Sequence, residues 1–105
     1  MKVVYIAGKY RSECANGIHD NIEAARKSAI KWWSRGFAVI CPHLNTAYFD
    51  GACKDSVWLD GDLEILSRCD IMVVLPSWKD SSGTQAEIEF AHNNNIAVVY
   101  DDDEW

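Results

Sequence analysis

The stretch Ser81-Ser82-Gly83-Thr84-Gln85-Ala86-Glu87 concentrates the groups best suited to chemistry. Small, hydroxylated residues opening a helix leave backbone N–H groups unpaired, and the helix dipole favours an anion there. The hydroxyls of Ser81, Ser82 and Thr84 add donors, and Gly83 lets a ligand come close to the backbone. Glu87 falls one turn into that helix, where the dipole should keep its carboxylate ionised near neutrality. Such a group suits a nucleophile or an electrostatic stabiliser better than a proton donor. Glu89 is about 200° further round the helix and cannot share the same face. A capped helix start with a surface glutamate in its first turn is the plain structural alternative.

Other polar residues gain interest from where they fall. Asp62 borders an apolar stripe (Leu59, Leu63, Leu66), so its carboxyl could reach a cleft and act on a leaving group; Asp60 lies on another face. Gly8-Lys9-Tyr10-Arg11-Ser12 follows the first apolar run, and its cations Lys9 and Arg11 could pair with a phosphate. Tyr5 lies inside that run, as a core residue whose hydroxyl could face the cleft. His43 and Trp78, each beyond a later run, are further candidates for a pocket wall. Cys41, His43 and Cys53 match no common zinc spacing, so no metal is assigned.

Four short apolar runs must position these groups: 3–7, 37–41, 70–75 and 96–100. They are continuous rather than alternating, as expected of strands buried on both faces of a parallel sheet. Helical spacing lies between them, over 18–35, 57–68 and 83–94. Gly36 serves as a stop, Ser56 as an N-cap, and Ser82 with Gln85 has the spacing of a capping box. Alternating strands and helices predict a doubly wound, three-layer α/β domain with a flavodoxin-like four-stranded parallel sheet, order 2-1-3-4. Ligands then bind beyond the carboxyl ends of strands 1 and 3, where the loops holding Arg11 and Ser81 meet.

Length and composition set outer bounds. The chain has 105 residues, 49% hydrophobic and 25% charged, which fits one globular domain over 1–105. No apolar run reaches membrane-spanning length. A net charge of −6 argues against a module for duplex nucleic acid, though a pocket can be locally positive. The first apolar run meets Gly8 and Lys9 too early for a secretory signal, and no Cys-x-x-Cys occurs; a cytoplasmic protein with reduced thiols is expected. Trp32 and Trp33 are adjacent on a helix, so one is expected at the surface, where it would suit a homodimer or higher homo-oligomer.

Three patterns in order, Tyr5-Ile6-Ala7-Gly8-x-x-Arg11, Asp62-Leu63 with Asp70 eight residues on, and Ser81-x-Gly83-x-x-x-Glu87-Ile88, resemble the nucleoside 2-deoxyribosyltransferase superfamily. The Arg and Ser are most similar to its 2′-deoxynucleoside 5′-phosphate N-hydrolase branch. Cys41-Pro42-His43-Leu44-Asn45-Thr46 and Leu75-Pro76-Ser77-Trp78 resemble the small bacterial and phage family DUF4406. The resemblance runs from residue 3 to 100. It implies cleavage or transfer at the N-glycosidic bond of a nucleoside or nucleoside 5′-monophosphate, with no cofactor. Glu87 falls on the family's nucleophile, which attacks C1′ to form a covalent glycosyl-enzyme. Asp62 falls on the carboxyl that assists departure of the base, and Tyr5 on a first-strand tyrosine. Arg11 and Ser81 fall where the hydrolase branch contacts the 5′-phosphate, which the free N–H groups opening the helix at Ser82, Gly83 and Thr84 would also suit. Two departures stand out: Glu89 replaces the family's usual Gly after Ile88, and Ser81 stands where the transferases have Asp. The same crevice would also serve a module that senses a nucleotide without turning it over. The five tryptophans suit an interaction protein with a vestigial cleft.

Overall fold

The computed structural model describes residues 1–101. Its elements are β1 (Val3–Ala7), α1 (Ala15–Ser34), β2 (Ala38–Ile40), a single-turn α2 (Pro42–Asn45), α3 (Asp55–Ser67), β3 (Ile71–Val74), a 3-10 turn (Pro76–Asp80), α4 (Ser82–Asn93) and β4 (Ala97–Tyr100). The four strands form one parallel sheet in the order β2-β1-β3-β4. This is the doubly wound α/β architecture expected from the sequence.

The topology follows from β1 lying beside both β2 and β3. The chain leaves β1 towards one edge through α1, then crosses back to β3 through α3. Right-handed crossovers in opposite directions put those helices on opposite faces, and α4 joins α3. The alternation of side chains along each strand matches this. Val4, Ile6 and Val73 are buried with Ala25 and Ala29 of α1. Tyr5, Ala7, Met72 and Val74 are buried with Leu66 of α3 and with Ile88 and Ala91 of α4. A one-residue shift of register would exchange these two sets, so the face that Tyr5 occupies is fixed by the packing of its neighbours.

Several local expectations need correction. The edge strands are not buried on both faces: β2 is half-buried, and Ala97, Val99 and Tyr100 of β4 are exposed. Helix α1 lies over β1 and β2, so the outer strand has less cover on that face. The same helix begins three residues early because Cys14, in extended backbone, accepts from Gly17 N through its sulfur at 3.4 Å. Gly36 does end it, at φ +91°. Helix α3 starts at Asp55 after Lys54, so Ser56 is not its N-cap. The cap of α4 is Ser81 rather than Ser82; Ser81 Oγ accepts from Thr84 N at 3.1 Å. Segments 42–45 and 76–80, read as loops, are the short helical turns.

The end of β1 is held close to its neighbours. A Cβ on Gly8 would stand 2.5 Å from Leu75 Cδ1 and 2.9 Å from Leu75 Cβ, so the bare backbone is what lets the first loop leave the sheet there. Gly8→Ala should lower stability by about 1–3 kcal/mol in urea unfolding, the usual cost of overpacking. Among the described residues, no helix is long and apolar enough to cross a membrane.

Candidate active site

The carboxyl ends of β1 and β3 open into a cavity of about 520 Å³. That is the crevice which the strand order predicts. Its floor is Tyr5, fully buried, whose hydroxyl donates a short hydrogen bond to Glu87 Oε2. Tyr5 points to the α3/α4 face, and Glu87 comes from α4 on that face. Asp62 enters from α3, one turn beyond Trp58, which also lines the cavity. The three residues reach one point from three elements, and the sheet register sets the meeting.

Burial dominates the electrostatics. It pushes the Glu87 carboxyl up to about 7, with the neighbouring Asp62 charge adding to the rise and the Tyr5 hydrogen bond opposing it. Burial alone raises Asp62 to about 6. The Tyr5 hydroxyl is held far above its ordinary value by burial and then by the Glu87 and Asp62 charges, so it stays a donor. The expectation that the helix dipole keeps Glu87 ionised at neutrality therefore needs correction. Desolvation outweighs the dipole, because withdrawing a carboxylate from water costs more than a helix end returns. Near neutral pH the pair can hold a single proton between its two carboxyls.

The remaining candidates divide. Gly8, Lys9, Arg11, Ser81, Ser82, Gly83, Thr84 and His43 all line the cavity. Ser81 Oγ accepts from both the amide and the hydroxyl of Thr84, at 3.1 and 2.8 Å, and still has its own proton to give. Among the described residues, and apart from its chain neighbours and its own helix backbone, a Cβ placed on Gly83 would meet only Ser81 Oγ, at 4.0 Å, which leaves space above that backbone. Arg11 Nη2 lies 2.6 Å from Asp55 Oδ2 of α3. The Lys9 main chain is fixed twice: its N donates to Ser77 Oγ at 3.1 Å, and its carbonyl lies 2.9 Å from His43 Nε2. A carbonyl only accepts, so that ring nitrogen carries the proton. Burial holds the His43 ring below its usual range and therefore neutral.

Trp78 does not belong to the cavity wall. Its ring packs 5.6 Å from that of Tyr100, and it backs the α3/α4 core. The 3-10 turn that carries it turns its side chain away from the crevice. Among the described residues, no three His, Cys, Asp or Glu side chains are grouped to hold a metal.

Of the wall contributed by residues 42–59, sequence reasoning found His43 and missed the rest. Tyr10 donates to Asp50 Oδ1 at 2.7 Å and accepts from Tyr48 N at 2.9 Å, and its ring meets His43 edge-on at 5.7 Å. Phe49 lies 5.9 Å from Trp58. One signal was available: Trp58 and Asp62 are four residues apart and must share a helix face.

Of the solved structures, that of a 2-deoxyribosyltransferase from Bacillus psychrosaccharolyticus is similar in fold. The TM-score is 0.73 at 18% identity, over 93% of this chain and 70% of that one. No curated protein matches the chain. A protein-family match runs over residues 2–100, to the family described as a domain of unknown function, DUF4406. By that match, the chain belongs to the DUF4406 family, and its fold is similar to that of the 2-deoxyribosyltransferase.

Proposed function

We propose that the protein breaks the N-glycosidic bond of a nucleoside or nucleotide and passes the sugar to water or to a second base. The observation that carries this reading is the Tyr5–Glu87 hydrogen bond beside Asp62, in a cavity large enough for a nucleoside. One Glu87 oxygen bonds to C1′ as the C1′–N bond breaks. The electron pair of that bond leaves on the base nitrogen, which takes the Asp62 proton. Water or an incoming base then displaces Glu87 from C1′, and Asp62 takes up the proton released. Positive charge builds on the sugar in both steps, and a carboxylate at C1′ stabilises it. Tyr5 fixes the Glu87 carboxylate through one oxygen and leaves the other for attack.

The Arg11 side chain, the Ser81 hydroxyl and the amides of Ser82 and Gly83 opening α4 take the 5′ end of the sugar, the Thr84 amide being held by Ser81 Oγ, and His43 stands in the wall near the base. Two copies in contact through the exposed Trp33 face would be compatible with this site.

Incubation with a panel of deoxynucleosides and their 5′-monophosphates, with free base followed by chromatography, tests the reading. Base release is expected; tight binding with no release would assign a sensing role instead. The pH profile is a second test. The chemistry needs one proton on the carboxyl pair, placed on Asp62 with Glu87 ionised. Glu87 holds a proton more tightly (about 7 against about 6), so this is the minor arrangement of the singly protonated pair. The kcat/KM profile should be bell-shaped with its maximum between pH 6 and 7, where that pair is most populated. Below that window both carboxyls are protonated and Glu87 cannot attack. Above it both are ionised and no proton is left for the base. A profile flat from pH 5 to 8 would contradict the paired-carboxyl assignment.

A further inference from the structure

The part of the cavity assigned to the 5′ end of the sugar is not set up as a phosphate site. Arg11 is already engaged: its guanidinium meets the Asp55 carboxylate at 2.6 Å, joining the loop after β1 to the first turn of α3. Asp55 is well placed as an anion, since a carboxylate in the first turn of a helix faces the positive end of the dipole. Apart from the reacting pair, the cavity is lined by three carboxylates (Asp50, Asp55 and Asp80) and two cations (Lys9 and Arg11). Asp80 immediately precedes the Ser81 cap of α4, beside the amides that would otherwise draw an anion.

We propose that Asp55 is a specificity-determining residue that occupies Arg11 in place of a 5′-phosphate, so that the site takes free nucleosides in preference to nucleoside 5′-monophosphates. The inference rests on the glycosidic reading above and sharpens it. A monophosphate brings a charge of about −1.5 to −2 near neutrality. To reach Arg11 it must part an ion pair and then sit beside the released carboxylate, with Asp80 close to the helix opening. A 5′-hydroxyl asks for neither. It can accept from Arg11 or Ser81 and donate to Asp55 while the ion pair stays closed. Both partners are largely exposed, 71% and 58%, so the pair itself is weak; the discrimination comes chiefly from repulsion between phosphate and carboxylate.

The test is calorimetric binding of the four 2′-deoxynucleosides and their 5′-monophosphates to the full chain and to Asp55→Asn, with base release followed in parallel. Wild type should bind the nucleosides about ten-fold more tightly, and Asp55→Asn should remove most of that difference, an effect of one charge beside another. Raising the salt concentration should narrow the wild-type difference, which a purely structural role for Asp55 would not do. Asp55→Glu keeps the charge and should keep the preference. A variant that merely unfolds loses both ligands, whereas the ratio of the two affinities reads the charge. Wild type favouring monophosphates, or a ratio unmoved by Asp55→Asn, overturns the assignment of Asp55 and leaves the glycosidic reading standing if base is released. Nucleosides bound in preference but never cleaved overturn the glycosidic reading and leave Asp55 in its role. Neither ligand binding overturns both.

Discussion

Glu87→Gln should abolish base release and at the same time make the protein more stable above neutral pH. The activity loss should be at least about 10³-fold, since the variant lacks the nucleophile and an amide cannot replace it. The stability gain follows from the burial of the carboxyl. Glu87 holds its proton up to about pH 7 in the folded protein, against 4.5 for an ordinary glutamate. Between those values the folded state binds more protons than the unfolded chain, so stability falls as pH rises through that window; above pH 7 the full penalty is in place. Replacing the carboxyl by a neutral amide should remove it, a gain of about 2–3 kcal/mol at pH 8 and almost nothing at pH 4. The amide oxygen can still accept from Tyr5. Urea unfolding at the two pH values, together with chromatography of the released base, reads both effects. A variant less stable than wild type at pH 8 would mean that Glu87 is not held against a desolvation penalty.

The second large effect lies on the other face of the sheet. Lys31 of α1 and Asp101, just beyond β4, form an ion pair with side chains only 5% and 3% exposed. Ser28 Oγ donates to the second carboxylate oxygen at 2.7 Å, and Asp101 N donates to Val74 O at 2.8 Å. The cluster ties α1 to the end of the sheet on the face where β4 has less cover. Asp101→Ala should cost about 3–5 kcal/mol, because it removes the buried carboxylate that meets both the Lys31 ammonium and the Ser28 hydroxyl. Lys31→Met should cost a similar amount for the reverse reason. The double variant Lys31→Met with Asp101→Leu should recover much of the loss, since an apolar pair needs no desolvation of charge. Denaturant unfolding of the four proteins closes the cycle; strictly additive losses would show that the two charges do not act as a pair.

These two effects mark how far the sequence can be read. The central strands were legible because Val3–Ala7 and Ile71–Val74 are continuous apolar runs that only a sheet covered on both faces would bury. The crevice was legible because strand order fixes where ligands bind, and Tyr5, Asp62 and Glu87 are brought together there. The proton balance of Glu87 was not legible. It depends on how much water the folded chain excludes, and position along a helix says nothing of that. Lys31 reads as one more polar residue on an amphipathic helix; its partner Asp101 lies 70 positions away, directly after β4, and is chosen only by tertiary packing. Ser81 rather than Ser82 caps α4 because Ser81 keeps extended backbone (φ −130°, ψ 107°), a choice the Ser-Ser pair leaves open. Trp78 follows β3 just as the cavity loop does, and only the 3-10 turn sends it the other way.

The central claim is that Glu87 attacks the anomeric carbon, and intact-protein mass spectrometry can see the product. The protein would be mixed with a nucleoside whose sugar carries fluorine at C2′, a substituent that destabilises the cationic transition state and slows release of the sugar from the enzyme. Glu87 as nucleophile predicts a mass increase of one fluorinated glycosyl group, mapped by peptide sequencing to Glu87 and lost in Glu87→Gln. Cleavage of ordinary nucleosides with no such adduct, or an adduct carried by another residue, would contradict it.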